Sequence, residues 1–285
     1  MSATPVATIV HLSDLHFGDQ LENREEWWHE FFGGTPLQGR FTHDYQAVQS
    51  LQLVIREICD HRAAADVPVL FVHSGDLTAN GSDEEFAVGQ GFLGTLGFVF
   101  DVPGNHDKWG FRAGEPQLGY LARFPSAFPL RLREGGTTFF GLDSNKHSEP
   151  IWDATGMVPT VSLETLSRLM GQQHDGIRIV VIHHPIYWKG TEDARLRLDA
   201  REEIAHQLAA SGADLVLSGH VHESRRYESA ADRPRQFIAG SAAQLGGPKS
   251  FLVVDVYTDG FDCQEYKMGW NNQFAFVPES ESSIG

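Results

Sequence analysis

Five short stretches of this 285-residue chain carry the side chains that could do chemistry. They are Asp14-Leu15-His16, Gly75-Asp76, Asn105-His106-Asp107, His183-His184-Pro185 and His220-Val221-His222. In an extended segment, residues two apart lie on the same side. Asp14 and His16 can therefore reach one ion, and so can His220 and His222. Oxygen and nitrogen donors without thiolate suit Mn, Fe or Zn, suit Ca less well, and exclude a structural thiolate zinc site. One such pair alone reads as a solvated loop. Five strand ends that all collect donors point to one shared metal site.

The elements that must position these residues are legible as short apolar runs. Val6 to Leu12, Val69 to Val72, Phe98 to Val102, Ile177 to Ile182 and Leu215 to Leu217 each end at one of the five stretches. Short β-branched runs closed by turn residues read as buried strands. Ligands of open α/β sheets bind at the carboxyl ends of such strands. Gly75 is a small residue that lets the chain turn just before Asp76.

Helical spacing fills the gaps. Asp44 to Ala65 carries Val48, Leu51, Val54, Ile55 and Ile58 on one face. Ser82-Asp83-Glu84-Glu85 is a capping-box signature that opens a helix to Leu96. Ser162 to Met170 and Asp193 to Ala210 are further helices. Strand followed by helix, repeated, predicts an α/β fold with mostly parallel pairing. The last quarter changes character. Phe237 to Ala239, Lys249 to Val256 and Phe261 to Tyr266 read as consecutive strands with Asp259-Gly260 as one turn, which predicts a second, more antiparallel sheet. Residues 19–43 hold Trp27, Trp28, Phe31 and Phe32 and read as an aromatic insertion. Residues 144–160 read as loop. A single domain over residues 1–277 and a flexible tail at 278–285 are expected.

Composition narrows the function. Hydrophobic residues are 41% and charged residues 21%, enough for a sizeable core and too apolar for disorder. Lys and Arg total 22 against 38 Asp and Glu, a net charge of -16. That balance argues against nucleic acid and anionic membrane as partners, because basic patches supply most of that affinity. A small anionic substrate stays compatible, since bound metal ions reverse the local field. The two cysteines, Cys59 and Cys263, read as unpaired thiols of a reducing compartment. With no signal-peptide pattern and no membrane-length apolar run, the expected location is cytoplasmic.

In this order, Asp14-Leu15-His16, Gly75-Asp76, Gly104-Asn105-His106-Asp107, His183-His184-Pro185 and Gly219-His220-Val221-His222 resemble the five signature blocks of the calcineurin-like metallophosphoesterases. The resemblance covers roughly residues 6–257. It implies a two-sheet β-sandwich flanked by helices, with a binuclear metal site at the C-terminal strand ends. It also implies roles. Asp14, His16 and His222 would hold one ion, Asn105, His183 and His220 the other, and Asp76 would bridge them. His106 would be catalytic beside the leaving-group oxygen, as a proton donor or as a transition-state stabiliser, with Asp107 as a candidate orienting partner. Of the two adjacent histidines, His184 would be a wall or supporting residue. The family chemistry is in-line attack on phosphorus by a metal-bridging hydroxide.

Substrate is less legible. Gly75-Asp76-Leu77-Thr78, with Gly81-Ser82 and Glu84-Glu85-Phe86 after it, resembles the branch that includes class III cyclic-nucleotide phosphodiesterases. Hydrolysis of cyclic nucleotides or other small phosphodiesters is the leading expectation. The alternatives are a phosphomonoesterase, a nucleotide pyrophosphatase, a phospholipid phosphoesterase, a DNA exonuclease and, more remotely, a non-catalytic metal-binding protein. Candidate substrate contacts are Asn105, His106, Asn145, His184, Trp27 and Trp28, the tryptophans as a lid over a base or as a homodimer patch. Lys146, His147, Trp188-Lys189 and Arg225-Arg226 are candidate rim residues.

Overall fold

The strands pair into two six-stranded mixed sheets, each backed by helices. The computed structural model describes residues 4–18, 43–109, 118–124, 127–146, 154–172, 176–188, 196–245 and 247–278. In chain order the elements are β1 (Ala7–Leu12), α1 (Tyr45–Ala64), β2 (Val69–His73), α2 (Asp83–Leu96), β3 (Val99–Asp101), α3 (Leu118–Arg123), β4 (Leu130–Glu134), β5 (Thr137–Leu142), α4 (Thr160–Met170), β6 (Ile177–Ile182), α5 (Arg201–Ala210), β7 (Leu215–Ser218), β8 (Arg225–Tyr227), β9 (Arg235–Ile238), β10 (Ser250–Tyr257), β11 (Gly260–Met268) and β12 (Phe274–Phe276). One sheet runs β12-β11-β10-β1-β2-β3 and the other β4-β5-β6-β7-β9-β8. The Trp27 and Trp28 insertion, His147, Lys189 and residues 279–285 lie outside the described residues.

Alternation along the strands explains the layering. Ala7 and Ile9 of β1, with Leu252, Val254 and Val256 of β10, meet Leu215 and Leu217 of β7 between the sheets. Val10, Leu12, Phe251 and Val253 face the other way, onto Leu51, Ile55 and Ile58 of α1 and Phe86 and Leu93 of α2. Val180, Ile182 and Val216 pack under Leu163, Leu166, Ile204 and Leu208 of α4 and α5. The order is helix, sheet, sheet, helix. Each fully buried Leu or Ile contributes about 1.5–3 kcal/mol.

Local chemistry sets the helix starts. Asp44 accepts from the Gln46 and Ala47 amides to cap α1. Ser82 and Glu85 form the expected reciprocal capping box at α2. The helix expected from Asp193 begins later, at Arg201. Leu198 is held in a bridge to Gly156, and Ala200 has φ +54°, so the backbone enters the helix only after it.

The last quarter does not make its own sheet. β10 pairs antiparallel with β1, so β10 to β12 extend the first sheet. β9 pairs parallel with β7, which places β8 and β9 in the second. β10 is apolar on both faces and needs cover on both, which only a place inside a sheet of the sandwich supplies. β4 and β5 form a hairpin whose Gly135 and Gly136 have φ +55° and +73°. A two-residue turn with positive φ at both positions is the type I′ geometry that matches strand twist.

Cys59 and Cys263 are both free. Among the described residues, no helix is long and apolar enough to cross a membrane.

One buried base couples this fold to pH. His11 of β1 is fully buried, with Nε2 at 2.9 Å from Ser74 Oγ. Burial, then His73, lowers its pKa to about 3, and Asp14 only partly offsets this. Folded His11 therefore stays neutral while the unfolded chain takes up a proton below about pH 6.5. Its contribution to stability is present above that pH and is lost as pH falls toward 3. Between pH 6.5 and 5 the loss is about 2 kcal/mol. Urea unfolding at both pH values should show a shallower pH slope in His11→Gln than in the parent. Equal slopes would remove His11 from the account.

Candidate metal centre

The parallel strands point their carboxyl ends the same way. β1, β2 and β3 run parallel in one sheet, and β6 and β7 run parallel in the other. The turns that follow them deliver Asp14 and His16, Asp76, Asn105 and His106, His183, and His220 and His222. Cross-sheet bonds lock these turns together. The His220 amide donates to Asp14 Oδ2 at 2.9 Å. His183 Nδ1 lies 2.8 Å from the Ser74 carbonyl, and Ser241 Oγ donates to the Asp14 carbonyl at 2.6 Å.

The backbone is strained where the donors sit. Asp14, His16, Asp76, His220 and His222 all have left-handed φ, between +49° and +72°. Such a conformation costs a non-glycine residue on the order of 1–3 kcal/mol and persists only where the surroundings impose it. Five of the eight non-glycine residues with positive φ among those described fall in this one cluster. Gly104 has no room for a side chain, because a Cβ would run into the Asp76 backbone and carboxylate.

Donor atoms converge in two halves. His16 Nε2 and His222 Nε2 are 3.2 Å apart, and Asp14 Oδ1 is 3.0 Å from His222 Nε2. On the other side, His183 Nε2 lies 3.2 Å from His220 Nδ1 and 3.1 Å from Asn105 Oδ1. Asp76 Oδ2 stands between, 3.4 Å from His183 Nε2 and 3.9 Å from His16 Nε2. Three sets fit around an ion: Asp14, His16 and His222; Asp76, His183 and His220; and His16, Asp76 and His106. The donor chemistry suits a metal. Imidazole nitrogens face one another at hydrogen-bond distance, and His220 Nε2 is buried with no hydrogen-bond partner among the described residues. All these side chains are buried except His222, which keeps 30% of its exposure.

The charges are mutually adjusted. Burial opposes ionisation of Asp76 and Asp14, yet their histidine neighbours hold both carboxyls well below the usual range. Burial works against protonated His183 and His222, and the facing Asp76 and Asp14 raise both all the same. Burial lowers His16, His106 and His220.

His106 is held differently from the expectation. Its amide donates to Asp76 Oδ1 at 2.8 Å, and its Nδ1 lies 2.7 Å from the Ala79 carbonyl. The orienting group is thus a backbone oxygen, not Asp107. The Asp107 carboxylate turns away and accepts from the amides of Leu77, Thr78 and Gly104 and from the Thr78 hydroxyl. Burial, then Asp76, pushes its pKa up to about 7, while the amide donors favour the anion. Asp107 ties the Asp76 loop to the Asn105 loop, and so sets His106 through the Ala79 carbonyl.

The remaining candidates divide. Both His184 ring nitrogens are engaged, Nδ1 with Ser144 Oγ at 2.8 Å and Nε2 with the Ala154 carbonyl at 3.0 Å. Its ring packs on the His220 ring, with centroids 4.3 Å apart. Asn145 Nδ2 donates to the Pro103 carbonyl, and its Oδ1 is buried with no hydrogen-bond partner among the described residues. Lys146 pairs with Asp199 at 2.8 Å. Arg225 pairs with Glu223, and Arg226 donates to the Cys263 carbonyl. Sequence reading missed Trp109, whose ring stacks on His106. The three-residue spacing within one turn is the signal that could have found it.

The fold has counterparts. It is similar to a dimetal phosphatase from Danio rerio, with a TM-score of 0.62 and 13% identity over 96% of this chain and 99% of that one. It is also similar to GAP50, the anchor in the inner membrane complex of Plasmodium, at a TM-score of 0.54 and 14% identity over 92% and 84%. In sequence it is similar to a probable glycerophosphodiester phosphodiesterase, GpdQ, from Arcobacter nitrofigilis. The two are 29% identical over 166 residues, which is 54% of this chain and 57% of the relative. The chain thus spans little more than half of that relative's length. Residues 7–224 match the calcineurin-like phosphoesterase family, and the chain belongs to that family.

Proposed function

We propose that this protein is a metal-dependent phosphodiesterase of small diesters, working at a two-metal centre. The observation that carries the reading is the gathering of six donors around Asp76, from both sheets and without a thiolate. Asp14, His16 and His222 would hold one ion, Asn105, His183 and His220 the other, with Asp76 between the two sets. Mn, Fe and Zn suit this donor set. Divalent ions held there supply Lewis acidity toward the phosphoryl oxygens and acidify the attacking water.

The chain's own residues do the rest. Asp76 Oδ1 fixes the His106 backbone. The contact with the Ala79 carbonyl places the standing proton on Nδ1, so the exchangeable proton belongs to Nε2. An anionic substrate beside the ring favours its charged form. His106 then gives its Nε2 proton to the leaving oxygen as the bond to phosphorus breaks. The mostly buried donors limit water around the developing charge.

The diester preference draws on two resemblances. The Gly75 to Phe86 segment resembles the cyclic-nucleotide branch, and the Arcobacter relative's name carries glycerophosphodiesters. The test is hydrolysis of bis(p-nitrophenyl) phosphate against p-nitrophenyl phosphate, by protein stripped and reloaded with Mn²⁺. A diester preference supports the reading, and cyclic AMP and glycerophosphoethanolamine then divide the two substrate types. A monoester preference overturns it in favour of a phosphatase.

A further inference from the structure

The torsion that turns an imidazole about its Cβ–Cγ bond is broad, so the ring plane is set by what the ring touches. Among the groups that touch His106, three bear on its ring plane. The Ala79 carbonyl holds one nitrogen at 2.7 Å. The His16 ring meets it edge-on, with centroids 4.6 Å apart and planes at 84°. The Trp109 indole covers its face, with centroids 3.6 Å apart and planes at 33°. Trp109 closes the 3-10 turn His106–Lys108, and its amide donates to the His106 carbonyl at 3.1 Å. A hydrogen bond at one nitrogen would by itself leave a ring free to swing about it. A face contact removes that freedom.

We infer that Trp109 is a positioning residue whose indole face holds the His106 ring in the plane from which Nε2 protonates the leaving-group oxygen. This rests on the reading of His106 as proton donor. In that step the bond from phosphorus to the leaving oxygen breaks, and its electron pair takes the Nε2 proton. The new bond to phosphorus comes from the oxygen of water, which releases its proton to solvent. Solvent then reprotonates His106.

The experiment uses two leaving groups that differ only by a para nitro group, in p-nitrophenyl methyl phosphate and phenyl methyl phosphate, on metal-loaded protein. Nitrophenolate leaves with little help, and phenolate needs the proton. Trp109→Leu should lower kcat for the phenyl ester by about tenfold and for the nitrophenyl ester by less than about threefold, with metal content kept. Trp109→Phe, which restores a ring face, should recover most of the loss. Equal losses on both esters, or none, overturn the inference. Should Trp109→Leu fail to load metal, Trp109→Met against Trp109→Phe makes the same comparison. His106→Ala separates the two ideas. If it shows no selective loss on the phenyl ester, the proton-donor reading fails and the inference fails with it. If it shows that loss and Trp109→Leu does not, only the inference fails.

Discussion

Asp76→Ala is expected to lose both metal ions and at least about 10³-fold in kcat. Among the described residues, no other carboxylate reaches both halves of the site. Oδ2 stands 3.4 Å from His183 Nε2 and 3.9 Å from His16 Nε2, while Oδ1 holds the His106 amide. The metal-free protein should suffer as well. Asp76 raises the His183 pKa against the effect of burial, so its removal leaves a buried imidazolium without its counter-charge. Breaking a buried pair from one side costs about 3–5 kcal/mol. Metal analysis, steady-state kinetics and a melting curve on the same preparation check all three. Asp76→Asn, which keeps an acceptor for the His106 amide, should recover stability but not metal. A full metal complement in either variant would end the bridging assignment.

His106→Ala should keep its metal and lose about 10²- to 10⁴-fold in kcat. Its position admits two readings. His106 lies with His16 and Asp76 in a set that could surround an ion. Against ligation, its Nδ1 is engaged by the Ala79 carbonyl, and Trp109 covers its face. Asp14, His16 and Asp76 already have imidazole partners in His222 and His183 without it. Metal content therefore decides. Loss of an ion in His106→Ala equal to that in Asp76→Ala would make it a ligand and remove the proton donor from the mechanism.

Much of this protein was legible in its residues. β-branched runs that stop at Asp, Asn or His predicted the strands and the edge at which the donors gather, because side-chain period and turn chemistry are local. The capping box at Ser82 and the apolar face of α1 are local in the same sense, and both formed as expected. Pairing was not local. Whether β10 joins β1 or starts a new sheet depends on which surfaces the rest of the chain leaves uncovered. The late start of α5 has the same origin, since Leu198 is claimed by Gly156.

Within the site, residue type and spacing determined which side chains could bind metal. Only the tertiary structure decided what orients them. The family resemblance implied Asp107 as the partner that orients His106. The folded chain instead spends that carboxylate on three backbone amides and a hydroxyl, and turns a carbonyl from another loop toward the ring. A backbone oxygen has no residue type to read, and a left-handed φ at Asp14, His16 or His222 leaves no mark in composition. Such geometry exists only where two sheets close on each other and hold it.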